Sequence, residues 1–148
     1  MSLRLEKGRK ADCPEIGRIL LDWVEATDWM PRIHPRGSYP MFAEMLEDVS
    51  DVTVARQDAR IVGFMARQED DIQALYVDAR ARGRGVGKAL LDHAKSQVAR
   101  IGLWTFQANE AALRFYLREG FVEDERTDGQ GNDEKLPDVH LVWERDAP

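Results

Sequence analysis

Apolar and polar positions alternate, cluster and recur along the chain in a way that divides it into short elements. Leu3 to Lys7 alternates apolar and charged residues and predicts a first strand. Ile16, Ile19, Leu20, Trp23 and Val24 then recur at three- and four-residue steps. With Pro14 in the first turn and Asp12 and Glu15 at capping-box spacing, they predict an amphipathic helix. The pattern breaks between Ala26 and Ser38, where two prolines and a glycine predict a loop, although it carries Trp29, Met30, Ile33 and His34. A loop this apolar is expected to cover something. A second helix is predicted from about Tyr39 to Leu46. Two strands, Val52 to Arg56 and Ile61 to Arg67, follow as a hairpin turning at Gln57 to Arg60.

The apolar run Ile72 to Val77, bounded by acidic residues, predicts a buried strand. Val86, Ala89, Leu90, Ala94, Val98 and Ile101 predict a long helix that stops at Gly102. Leu103 to Gln107 reads as another strand. Glu110 to Glu119 is a helix capped by Asn109 and stopped by Gly120, and Phe121 to Arg126 and Val139 to Glu144 are a closing strand pair. Their connection, Thr127 to Asp138, is too long for a tight hairpin and is either a mobile loop or part of a binding site. The order β-α-α-β-β-β-α-β-α-β-β is mixed α/β rather than strictly alternating.

The composition adds bounds. A chain of 148 residues, 43% hydrophobic and 32% charged, fits one compact domain spanning residues 1–148. A formal net charge of -6 argues against a nucleic-acid surface. The single cysteine, Cys13, has no intrachain partner, which fits a reducing compartment. No apolar run approaches the length of a membrane span, and no metal centre is expected. The sequence thus leads to the expectation of a soluble, cytoplasmic protein.

The stretch Arg82-Gly83-Arg84-Gly85-Val86-Gly87-Lys88 joins a predicted strand to a predicted helix N-terminus. Such a turn offers unpaired backbone N–H groups and the positive end of a helix dipole, so a phosphate group is its natural guest. An ATP-type loop would need a glycine at position 82 and Ser or Thr at position 89, which hold Arg82 and Ala89, and the dinucleotide fingerprint fails as well. Farther on, Asn109, Ala112 and Tyr116 fall on one helix face spanning roughly 10 Å, with Ala112 leaving room between the other two.

The pattern Arg82, Gly85, Gly87 after a strand resembles the pyrophosphate loop of the GNAT superfamily of acetyl-CoA-dependent N-acetyltransferases. The segment Trp104 to Phe121, with Asn109, Tyr116 and the exit Gly120-Phe121, resembles the family's second signature, and the element order is similar over nearly the whole chain. The resemblance implies a mostly antiparallel sheet of about seven strands with about four helices, splayed between the fourth and fifth strands. It implies acetyl-CoA as cofactor, held at the diphosphate by Arg82, Gly83, Arg84, Gly85, Val86, Gly87 and Lys88. The pantetheine arm would run beside Leu75, Tyr76 and Val77 and near Asn109 and Ala112.

Transfer of an acetyl group from a thioester to an amine needs a donor for the oxyanion, a proton for the departing thiolate and loss of the amine proton. Tyr116 is the candidate acid, while no residue declares itself as general base. Trp29, His34 and Asp138 are the candidate acceptor-binding residues. Arg32 and Arg36 favour an acceptor carboxylate and the acidic surface favours a cation, two cues that oppose each other. The expectation is a small-molecule primary amine as acceptor. A protein N-terminus or lysine is the alternative, and a non-catalytic acyl-CoA-binding module is a third. A homodimer is open, with Val139 to Glu144 as an edge through which it could pair.

Overall fold

The computed structural model describes residues 3–145. Seven strands form one sheet in the order β1-β2-β3-β4-β5-β7-β6, where β1 is Leu3–Lys7, β2 Asp51–Gln57, β3 Arg60–Gln68, β4 Asp71–Val77, β5 Arg100–Phe106, β6 Val122–Thr127 and β7 Asp138–Glu144. Every neighbouring pair is antiparallel except β4 and β5. Four helices cover the sheet: α1 (Cys13–Ala26), α2 (Tyr39–Val49), α3 (Val86–Gln97) and α4 (Glu110–Arg118).

Two cores follow from the alternation of side chains across the sheet. On one face, Ile16, Ile19 and Leu20 of α1 and Ala43 and Leu46 of α2 pack on Val52, Val54 and Phe64. On the other, Leu90, Leu91 and Ala94 of α3 and Tyr116 of α4 pack on Met65, Ile101, Leu103 and Leu141. Strand β3 is covered on both faces, so seven consecutive residues from Ile61 to Arg67 are buried. That accounts for its run of apolar residues in place of strict alternation. Among the described residues no helix is long and apolar enough to cross a membrane.

Three sequence-based expectations are corrected. The long helix ends at Gln97, where Val98 is extended, and Ile101 belongs to β5, paired with Trp143. Val98 and Ile101 fit a helical stripe by spacing, but both are β-branched and serve equally well in extended chain. Strand β7 lies between β5 and β6, so both of its edges are used, and β6 is the edge strand at this end of the sheet. Its sequence Val-Glu-Asp-Glu-Arg-Thr is heavily charged, the composition that discourages edge pairing. The capping box at α1 does not form. The Asp12 carboxylate accepts from the Arg9 N–H at 2.9 Å and from Arg56 at 2.6 Å, and Glu15 accepts from the Ile61 N–H at 3.3 Å. Both acids tie the helix to neighbouring chain instead of to its own first turn.

Candidate active site

The parallel pair β4–β5 is joined only at Asp71 to Gly102 and Ile72 to Leu103, while β3 stays paired to β4 as far as Val77 and β7 to β5 as far as Phe106. Beyond Ile72 the two strands diverge. A bulge helps to part them: the β3 register steps from Ala66–Ala74 to Arg67–Ile72, leaving Gln73 unmatched. The edge of β4 that carries Leu75, Tyr76 and Val77 thus faces a wedge instead of a strand. A cleft of about 90 Å³ occupies it, bounded by Leu75 and Tyr76, by Thr105 and Phe106 of β5, and by Asn109, Ala112 and Tyr116 of α4. An unpaired strand edge beside a slot suits an extended, amide-bearing ligand, which can add to it as another strand.

At the C-terminal end of β4 the chain passes through Asp78 and a single 3-10 turn into the glycine loop. Gly83 and Gly85 have φ of 75° and 81°, in the left-handed region where side chains are strained, and Gly85 directly precedes α3. A Cβ on either would meet nothing within 4 Å, so the backbone there is open to a ligand. Val86 is buried and anchors the helix start, and Gly87 lies against Phe115, whose Cζ would be 3.4 Å from a Cβ at that position. The first intrahelical bond runs from the Ala89 N–H to the Gly85 carbonyl at 2.9 Å, which leaves the preceding N–H groups of the turn for an anion. Arg82 and Arg84 are exposed and make no ion pair among the described residues. Lys88 directs its ammonium to Asp92 and Glu119, each at 3.2 Å, so its backbone N–H is what it presents to the loop.

Asp78 organises the entry to this loop. It is 7% exposed and accepts from the Arg80 N–H at 3.0 Å and from the guanidinium groups of Arg80 and Arg18, with Arg60 at 3.6 Å. Burial alone would raise its pKa. The hydrogen bonds from Arg80 and Arg18 override that and hold it at about 2.

Asn109 caps α4 by accepting from the Ala112 N–H at 3.2 Å and also borders the cleft. Two turns farther along, Tyr116 is buried between Phe115 and Phe121, with ring centroids 5.1 and 5.4 Å away, and its hydroxyl makes no hydrogen bond among the described residues. Burial, reinforced by the neighbouring Tyr76, pushes its pKa well above the ordinary tyrosine value. Tyr76 is pushed up to about 12, by burial first and then by the charge of Glu134. Both phenols are protonated at any physiological pH.

A second hollow, of about 490 Å³, adjoins the cleft and shares Trp104, Thr105 and Phe106 with it. Asn132, Glu134 and Asp138 form its far wall. The α1–α2 loop covers the aromatic side of this region. Trp29 packs edge-on against Trp23 and Phe106, each at 5.8 Å, and Trp23 packs on Tyr76 at 5.3 Å. His34 is exposed and borders neither cavity. Asp138 borders the hollow, but its carboxylate is engaged by Thr127 and by the Asn132 amide. The 127–138 connection is tied down by these bonds and by reciprocal bonds between Asn132 and Leu136. Of the two acids that line the hollow, Glu134 has a carboxylate without a partner among the described residues. Nothing in the sequence singles out Glu134, Trp23 or Trp104 for the site: Trp23 fits the apolar stripe of α1, Trp104 fits a strand, and no local pattern marks Glu134.

A family model described as an acetyltransferase (GNAT) domain matches residues 48–123. The peptidyl-lysine N-acetyltransferase YjaB of Escherichia coli K12 is 32% identical over 144 residues, covering 97% of this chain and 98% of the relative. The apo structure of Escherichia coli YjaB superposes with a TM-score of 0.82 at 26% identity over 97% of this chain and 98% of that one. The peptidyl-lysine N-acetyltransferase YiaC of Escherichia coli K12 is 29% identical over 121 residues, which is 76% of this chain and 81% of the relative. YncA of Salmonella typhimurium, solved with acetyl-CoA, shares the fold at a TM-score of 0.74 and 18% identity, covering 100% of this chain and 96% of that one. The chain therefore belongs to the GNAT family of acetyl-CoA-dependent N-acetyltransferases.

Proposed function

We propose that this enzyme transfers the acetyl group of acetyl-CoA to the side-chain amine of a lysine in a polypeptide. The observation that carries the reading is that the β4–β5 cleft adjoins, across Trp104, Thr105 and Phe106, a larger hollow that is open to solvent. A lysine offers a slim four-carbon stem with an amine at its end, and it can reach along the aromatic wall of Phe106 and Trp104 while the rest of its chain stays outside. A small amine, the expectation from sequence, is better served by an enclosed pocket. The relatives YjaB and YiaC, named as peptidyl-lysine N-acetyltransferases, support the same choice.

In this reading the diphosphate of acetyl-CoA rests on the N–H groups of the glycine loop, between Arg82 and Arg84. The pantetheine arm adds to the free edge of β4, and Asn109 and Ala112 border its path. The thioester then lies near the Val77 end of β4, where an edge N–H is available to the developing oxyanion, the kind of fixed donor that contributes most to acyl transfer. The neutral amine attacks the carbonyl carbon, a C–N bond forms, and the C–S bond breaks as the tetrahedral intermediate collapses. One proton leaves nitrogen and one arrives on sulfur. Tyr116 donates to the departing thiolate. Its raised pKa makes a lasting phenolate unfavourable, so the proton it gives is replaced as the amine loses its own, and the phenol ends as it began. A pure acyl-CoA-binding module has no use for a protonated phenol at this position.

The test is thiol release from acetyl-CoA together with mass analysis of lysine peptides, blocked at their N-termini, and of free amines. Acetylated lysine in the peptides is the expected result. Turnover confined to free amines would overturn the polypeptide acceptor.

A further inference from the structure

The charge of the chain is unevenly placed. Residues 122–138, which run from β6 through the connection to the first residue of β7, hold seven acidic residues against Arg126 and Lys135, a net of -5, whereas the whole chain carries -6. Everything outside this hairpin is thus nearly neutral, at a net of -1. The hairpin is also the far wall of the acceptor hollow. Its acids differ in what they do. Glu123 pairs with Arg126 at 3.0 Å, Asp124 with His140 at 2.9 Å, and Asp138 with Thr127 and Asn132. Lys135 turns its ammonium to the Gln130 carbonyl at 2.7 Å, away from any of these carboxylates. Glu134 is half-buried, borders the hollow and has no partner among the described residues.

The opposing cue from sequence is answered by the fold. Arg32 donates to the Glu25 carbonyl at 2.9 Å and Arg36 pairs with the Glu25 carboxylate at 2.7 Å, and neither borders the hollow. Among the described residues no Lys or Arg lines the hollow. A carboxylate here is a poor partner for the attacking amine itself, because it would hold that amine in its charged, unreactive form. It is a good partner for a second cation close by.

We infer that the β6–β7 hairpin selects lysines embedded in cationic polypeptide segments, with Glu134 pairing a basic side chain beside the acceptor lysine, an inference that rests on the polypeptide-lysine reading. The remaining acids of the hairpin draw the segment in through a field that salt screens over about 10 Å at 0.1 M. Glu134 adds a charge-assisted hydrogen bond at the wall.

The experiment compares kcat/KM for N-terminally blocked peptides in which one lysine is flanked by arginines, by alanines or by aspartates, with spermidine as a small polycation. The arginine-flanked peptide is expected to lead the alanine-flanked one by roughly tenfold at low salt, with the gap closing between about 0.05 and 0.5 M salt. E134Q is expected to narrow the arginine-to-alanine ratio several-fold while acetyl-CoA still raises the thermal stability of the variant, which shows that it is folded. Equal efficiency on all three peptides overturns the inference and leaves the lysine reading intact. Thermal stabilisation by acetyl-CoA with no peptide acetylated overturns both. Faster turnover of spermidine than of the arginine-flanked peptide overturns the polypeptide as its object.

Discussion

Replacing Asp78 with asparagine keeps the volume of the side chain and removes one charge from a buried site where Arg18, Arg80 and, at 3.6 Å, Arg60 converge. The carboxyl titrates at about 2 in the folded protein and at about 3.9 in an unfolded chain. A folded pKa below the unfolded one means that the ionised carboxylate stabilises the fold. The stabilisation is fully present above the unfolded pKa and is lost as pH falls through the folded one. The gap between the two values corresponds to about 2.6 kcal/mol at pH 7, and the same relation leaves about half of it at pH 3. Urea unfolding of wild type and D78N, followed by tryptophan fluorescence at the two pH values, reads this directly. A destabilisation of about 2–3 kcal/mol at pH 7 that shrinks by about half at pH 3 is predicted. An equal loss at both pH values, or a loss below about 0.5 kcal/mol at pH 7, would refute the role of the charge. Because Asp78 also fixes the chain entering the glycine loop, D78N is expected to weaken acetyl-CoA binding.

A valine at Gly85 must adopt a φ of 81° and place its side chain in the open space that the diphosphate needs, so G85V is predicted to abolish thermal stabilisation by acetyl-CoA; retained stabilisation would contradict the loop assignment. Exchange of Asp138 for asparagine disturbs the bonds from Thr127 and Asn132 that tie down the acceptor wall. It should raise the KM for a peptide several-fold while leaving acetyl-CoA affinity unchanged, and an equal change in both would place Asp138 elsewhere in the reaction. The raised pKa of Tyr116 keeps its phenol protonated on the alkaline side, so kcat/KM should rise as the lysine amine loses its proton and show no falling limb through about pH 10. A descending limb below that pH, absent from Y116F, would show that Tyr116 titrates normally.

The parts of the site that the sequence made legible are those whose signal is local. The glycines of residues 82–88 mark a turn from a strand into a helix, where the structure finds left-handed backbone at Gly83 and Gly85, and Asn109, Ala112 and Tyr116 are joined by helical periodicity alone. The splay of β4 from β5 came from the family resemblance. Its physical agents, the bulge at Gln73 and the loss of pairing after Ile72, depend on how neighbouring strands align. The acceptor side was read least well, because it is assembled from distant segments. Trp23 of α1, Trp29 of the following loop, Phe106 of β5 and Glu134 of the last connection meet only in the fold. Asp138 is the acid that the sequence offers to the acceptor's ammonium group, yet the structure engages its carboxylate with Thr127 and Asn132 and leaves Glu134 without a partner among the described residues. The placement of β7 inside the sheet was invisible for the same reason, since β6 and β7 are both short and strand order is a property of the whole sheet.

In the proposed mechanism Tyr116, buried in the β4–β5 cleft with a hydroxyl that makes no hydrogen bond among the described residues, serves the departing thiolate. Y116F removes that hydroxyl and keeps the ring that packs against Phe115 and Phe121. Single-turnover and steady-state rates on a lysine peptide, measured beside the equilibrium affinity for acetyl-CoA, separate chemistry from binding. The predicted result is a fall in kcat of about 100-fold with unchanged acetyl-CoA affinity. A rate equal to wild type with the same affinity would contradict the assignment of Tyr116 as the acid.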